Sequence, residues 1–168
     1  LAGLQRAFGS EAATGTLWDL RTSRLIVVVD ADLTFEHPVA ALQVKEAVRR
    51  GAKLVVLDPR DTEIGMLATE KLACRPDSEV AVLGAIMRAL LDMGGEDKAF
   101  IRDRCDSPGE LAASLKAFDP AQVAQRSGVP PERIAQVARL LATHKPAAFL
   151  FGGALSGVSP ARPNCGSR

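Results

Sequence analysis

Cysteine is scarce in this chain and poorly arranged for chemistry. Cys74, Cys105 and Cys165 are far apart, and no CxxC pair exists. That spacing excludes the usual zinc and iron–sulfur ligand sets, and the three read as ordinary thiols of a reducing compartment. Charge of one sign is also missing. A net charge of +1 leaves no basic footprint, which argues against a nucleic-acid partner. No apolar run approaches the length of a membrane span, and no signal peptide is visible at the N-terminus. The expected location is cytoplasmic, at most peripheral to a membrane complex, without membrane insertion. A Walker loop, a GxGxxG turn and a spaced Ser–His–acid set are all absent. The chain also opens at Leu1 without methionine, as expected of a piece of something longer.

What is present is concentrated in residues 24–60, RLIVVVDADLTFEHPVAALQVKEAVRRGAKLVVLDPR. Leu25–Val29 and Leu54–Leu57 are short, nearly continuous apolar runs, the pattern of strands buried on both faces. Between them Val39, Leu42, Ala47 and Val48 fall on roughly one face of a helix. Pro38 suits its first turn and Gly51 its C′ position. This is a βαβ unit, so the strands are expected to be parallel.

Further along, Asp61–Leu67 reads as a short helix and Lys71–Arg75 as a third strand stopped by Pro76. Ser78 is placed to cap a helix over Glu79–Leu91, whose apolar positions Val80, Leu83, Met87, Leu90 and Leu91 fit a helical period. Asp97–Asp103 forms another helix anchored by Phe100 and Ile101. Ser107-Pro108-Gly109-Glu110 carries capping-box chemistry, and Asp119-Pro120-Ala121-Gln122 repeats it. Pro131–Thr143 is the clearest helix, and Ala147–Phe151 closes the series as a strand. Ala2–Phe8 reads as a leading helix, Trp18 as a packing anchor, and His144 as a partner for helix-terminal carbonyls. The alternation predicts an α/β three-layer Rossmann-like sandwich with a mainly parallel sheet over residues 1–156. A helical excursion spans 96–143, and 157–168 form a Gly/Pro/Ser-rich tail.

Ligands of such sheets bind at the carboxyl ends of the strands, which here read Asp30-Ala31-Asp32 and Asp58-Pro59-Arg60. Asp58 stands where an acidic residue can meet ribose hydroxyls, although Asp-Pro is equally a turn and cap signal. Arg60 suits a phosphate, or an ion pair with Asp61, Glu63 or Glu79. Thr62 suits a cap of the following turn. Gly152 and Gly153 permit close backbone approach, to a ligand or simply in a turn.

The pattern D-x-T-x-E-H-P, then helix, then G-A-K-L-V-V-x-D-P-R-x-T-E resembles the molybdopterin oxidoreductases. That superfamily includes formate dehydrogenases and the large subunit of NADH-quinone oxidoreductase. The resemblance extends over Lys71–Leu90, Asp97–Ile101, Val123–Thr143 and Phe149–Ala154. It implies a Rossmann-like unit holding one guanine dinucleotide arm of a bis-molybdopterin cofactor. The residues implied for that contact are Asp30, Asp32, Thr34, Asp58, Arg60, Glu79 and Gly152. The implied partners are the remaining domains of a large subunit and the other subunits of an electron-transfer complex.

Three places depart from the family pattern. Gly-x-Asn-Pro is replaced by Asp30-Ala31-Asp32-Leu33, Pro-Gly-(Ser/Thr)-Asp by Pro76-Asp77-Ser78-Glu79, and Gly-x-Gly by Gly152-Gly153-Ala154. Extra carboxylates repel a pyrophosphate, each by roughly 1–4 kcal/mol at surface-like dielectric. The expectation is a scaffold whose dinucleotide site has decayed. The rivals are a working cofactor domain and a separate nucleotide-binding module. With no iron–sulfur motif and no molybdenum ligand, the piece alone is not expected to be catalytic.

Overall fold

The computed structural model describes Gln5, Gly9, residues 13–105 and residues 108–152. The expectations for Ala2–Phe8, the Ser107 cap, Gly153, Ala154, Cys165 and the tail lie outside these residues. The sheet has four strands, β1 (Leu25–Val29), β2 (Lys53–Leu57), β3 (Glu70–Leu72) and β4 (Ala147–Phe151), in the order β3-β2-β1-β4. Every pairing is parallel, with Val27 opposite both Val55 and Phe149. β3 is shorter than the sequence implied. After Leu72 the chain leaves the sheet, and the Arg75 amide bonds the carbonyl of Ser127 at 2.8 Å instead of a strand.

Helices cover both faces. On one side lie α1 (Leu33–Glu36), α2 (Pro38–Arg49) and the 3₁₀ turn Ile64–Leu67, packed on Ile26, Val28, Leu54 and Val56. On the other, α3 (Glu79–Asp92), α6 (Pro120–Ser127) and α7 (Pro131–Thr143) pack on Leu25, Val27, Val29, Val55 and Leu57. The short helices α4 (Lys98–Arg104) and α5 (Pro108–Leu115) lie between α3 and α6 in the chain. The stretch 96–143 is therefore no mere excursion, because α7 contributes Ile134, Val137, Ala138 and Leu140 to the core. The three-layer α/β sandwich is as anticipated.

The inward faces of two helices differ from the periodicity reading. In α2 the buried residues are Ala40, Ala41, Val44 and Ala47, while Val39 and Leu42 face outward at 60% and 63% exposure. In α3 they include Val82, Gly84, Ala85 and Ile86, while Val80 and Met87 are exposed. Small side chains let a helix axis approach closely, so the tight contact selects the alanine stripe over the bulkier one. Phe100 is likewise exposed rather than an anchor. Trp18 is 68% exposed, with the Arg21 guanidinium over its ring at 5.6 Å, and anchors nothing in the core. His144 Nδ1 meets the Thr143 hydroxyl at 2.8 Å rather than a terminal carbonyl.

The helix ends follow local chemistry. Asp97 accepts from the Phe100 amide, and Asp119 from those of Ala121 and Gln122. Gly128 ends α6 in the left-handed conformation at φ 79°, and Gly51 follows α2 at φ 99°, both positions that favour glycine. Ser78 precedes α3 but makes no cap, its hydroxyl donating to the Arg75 carbonyl instead.

Candidate functional site

The carboxyl ends of β1, β2 and β4 converge on one place. The Asp30 amide bonds the Leu57 carbonyl, and the Gly152 amide bonds the Val29 carbonyl, each at 2.9 Å. Gly152 lies so close to β1 that a Cβ on it would fall 1.6 Å from the Asp30 carbonyl oxygen. Only glycine fits that approach. In this position, however, the close contact is with Asp30 and serves sheet closure.

Asp58 ends β2 fully buried. Its carboxylate is held from three sides by Arg60. The backbone amide reaches Oδ1 at 2.8 Å, Nε reaches Oδ1 at 2.9 Å, and Nη2 reaches Oδ2 at 3.0 Å. Nη2 also lies 3.3 Å from Asp30 Oδ1. Burying an unpaired carboxylate is expensive, and the two-pronged guanidinium compensates for it. The bond to Asp58, reinforced by the nearby carboxylates, holds the Arg60 guanidinium well above its ordinary basicity. Arg60 does pair with nearby carboxylates, but with Asp58 and Asp30 rather than the Asp61, Glu63 or Glu79 weighed for it; Asp61 pairs with Lys71 and Glu63 with Lys45. Thr62 does cap its turn, accepting from the Gly65 amide at 3.2 Å.

Around this pair the field is negative. Burial is the main reason the Asp30 carboxyl sits above the usual carboxylate range, with Asp58, Glu36 and Asp77 adding like charge and Arg60 only partly offsetting them. Glu79, at the first position of α3 and only 7% exposed, is raised for the same first reason. Its own amide opposes the rise, and Asp30, Asp77 and Asp58 reinforce it. Beneath it, burial and then Glu79 push the Cys74 thiol up to about 11, so this cysteine is an inert core group. Asp30, Asp58, Arg60, Glu79 and Gly152 are thus gathered at one edge.

Two expected members lie on the adjoining helix α1. Asp32 caps α1 by accepting from the Phe35 amide at 3.4 Å. Thr34 sits within α1, its hydroxyl oxygen buried and without a hydrogen-bond partner among the described residues. Sequence reasoning flagged Asp77 only as a departure from the family pattern and missed Glu36 as a participant. It also missed the most informative local fact, which is that Asp30 and Asp77 both have positive φ, 47° and 64°. The replacement of glycine in the family pattern at both places was the signal for it. Among the described residues no group of three or more His, Cys, Asp and Glu side chains is placed to hold a metal ion.

A parallel sheet between two helical layers, with an aspartate–arginine pair at its carboxyl edge, defines the class of open α/β sandwiches whose ligand crevices lie at that edge. Comparison with known proteins narrows this. Residues 4–157 match the molybdopterin oxidoreductase family, and the chain belongs to it. It is 32% identical over 151 residues to the F420-dependent formate dehydrogenase 1 subunit alpha of Methanococcus maripaludis, covering 90% of this chain and 22% of that protein. It is 31% identical over 152 residues to formate dehydrogenase H of Escherichia coli, covering 90% and 21%. The solved structure of acetylene hydratase from Pelobacter acetylenicus superposes with a TM-score of 0.72 at 26% identity, over 76% of this chain and 18% of that one. The chain therefore spans about one fifth of the length of these relatives. No described helix is long and apolar enough to cross a membrane.

Proposed function

We propose that this domain serves as a scaffold within a large oxidoreductase subunit of formate dehydrogenase or NADH-quinone oxidoreductase type, and that its guanine dinucleotide site is degenerate. The carrying observation is the pair of left-handed aspartates. The backbone at Asp30 and Asp77 keeps a conformation natural to glycine, the residue the family pattern has at both places. An aspartate there tolerates the strain better than most residues. It also fills the space where a phosphate would meet backbone amides, and it adds charge of the wrong sign. The Arg60 guanidinium at the mouth is already engaged by Asp58 and Asp30. This donor set does not fit a dianionic pyrophosphate, and no chemical step is assigned to molybdopterin in this domain. The partners follow from the family. We propose the remaining domains of a large subunit and neighbouring subunits of an electron-transfer complex, as the formate dehydrogenase alpha-subunit relatives suggest.

A second reading, a working molybdopterin guanine dinucleotide-binding domain, draws support from the retained Asp58–Arg60 pair. Calorimetric titration with GDP separates the two. The degenerate-site reading expects no saturable binding up to about 1 mM, a weak affinity by any standard. It also expects binding to be gained in the double variant Asp30→Gly, Asp32→Asn, where asparagine preserves the α1 cap. A dissociation constant near micromolar in the unaltered chain overturns it in favour of the second reading.

A further inference from the structure

The amino edge of the sheet, opposite the site above, holds a half-open cavity of about 320 Å³. Its polar lining is Arg21, Thr22, Ser23, Arg24, Arg50 and His144, with Ala47 and Ala52 supplying apolar wall. No aspartate or glutamate lines it. From this we propose that the amino edge is a binding site for a small phosphate-bearing molecule. The site lies on the far side of the sheet from the dinucleotide edge and is independent of whatever binds there.

The charge balance favours an anion. The C-termini of α2 and α7 point here and bring about half a negative charge each. Arg50 answers one of them while its Nε and Nη2 hold Glu46 Oε1 at 3.0 and 2.9 Å. Arg21 and Arg24 are surplus. Neither is paired with a carboxylate among the described residues, and Arg21 is steadied only by the Trp18 ring. The hydroxyls of Thr22 and Ser23 donate to the Asp19 carbonyl at 3.1 and 2.9 Å. They fix the loop that presents both arginines and have no proton left to offer. The donors available to a ligand are therefore the Arg21 and Arg24 forks and the free nitrogen of Arg50. The Thr143 hydroxyl donates to the Arg139 carbonyl, so a neutral His144 ring donates to it through Nδ1 and has no proton at Nε2 to offer. Guanidinium forks match the oxygens of a phosphate. The volume exceeds that of phosphate alone, and the two alanines offer an organic moiety an apolar wall.

Amide-resolved NMR titration of the 168-residue chain with inorganic phosphate, pyrophosphate and ribose 5-phosphate, at fixed ionic strength against chloride, tests this. Saturable shifts are expected at Thr22, Ser23, Arg24, Gly51 and Ala52, with Asp30 and Gly152 still. The sugar phosphate is expected to bind more tightly than phosphate, with a dissociation constant of about 1 mM or below. Arg24→Gln and Arg21→Gln, both at exposed side chains, should each weaken binding about tenfold, the worth of one charge-assisted contact. Shifts that never saturate, that centre elsewhere, or that persist unchanged in Arg24→Gln overturn the site.

Discussion

At the scale of single residues the carboxyl edge is a set of close fits. Gly152 is the sharpest of them, since a methyl group would overlap the Asp30 carbonyl oxygen at 1.6 Å. That oxygen is backbone, so β1 or β4 must move. Gly152→Ala is expected to lose about 3 kcal/mol by urea denaturation, and a loss under about 0.5 kcal/mol, the range of neutral surface changes, would mean the strands are not so close. The sequence marked Gly152 as special but left its partner open, because a glycine at a strand end does not say whether ligand or chain comes near. Glu79 gives a different kind of test. Burial, with like charge from Asp30, Asp77 and Asp58, raises its carboxyl above 4.5. The folded state then holds the Glu79 proton more tightly than the unfolded chain does. Its contribution to stability is complete below about pH 4.5 and is lost as pH rises through the raised value. Glu79→Gln should therefore gain stability at pH 7 and show a shallower fall between pH 4 and 7 when urea midpoints are compared. The exposed Asp61 and Glu63, lowered by Lys71 and Lys45, act in the opposite sense but equally in both proteins. Identical pH profiles would place Glu79 in solvent. Nothing in the sequence foretold this shift, which arises from residues 30, 58, 77 and 79 meeting only in the fold.

At the scale of elements, existence and type were legible, and orientation was less so. β1, β2 and β4 were found within a residue because their apolar runs are short and flanked by clear turn signals. α2 was located but rotated in expectation, since periodicity weights large side chains whereas the packed face is alanine. The same preference for small residues governs α3. At Gly84 an added Cβ would meet the Phe118 ring at 2.6 Å. In an open helix the change to alanine gains about 1 kcal/mol from propensity, but overpacking costs roughly 1–3 kcal/mol, so Gly84→Ala is expected to destabilise by about 1 kcal/mol. In a Phe118→Ala background the obstruction is gone, and the same change should stabilise by about 1 kcal/mol. A double-mutant cycle without this reversal of sign would show that the ring does not set the α3 contact. Gly84 carries no sequence signal for its role, because the ring it faces lies beyond two further helices in the chain.

For the whole molecule the open question is what β4 faces. It pairs only with β1 among the described strands, so among the described residues its second edge has no backbone partner. Phe149 and Phe151 stack at 6.2 Å on the same face and remain 44% and 54% exposed. An apolar edge strand without charge or proline within it is a template for pairing with another chain, and Ala147–Phe151 contains neither. Net charge of +1 supplies little repulsion between copies. The chain is therefore expected to associate as its concentration rises toward millimolar, seen as a concentration-dependent sedimentation coefficient. Phe149→Lys should suppress the effect by setting a charge on the edge, while changing stability by no more than about 0.5 kcal/mol because the side chain is already half in water. A monomer at every concentration, or association untouched by Phe149→Lys, would remove β4 as the sticky element. The outward-facing Val39 and Leu42 on α2 would then be the next apolar surface to charge, since they lie on the opposite layer and report on a separate contact.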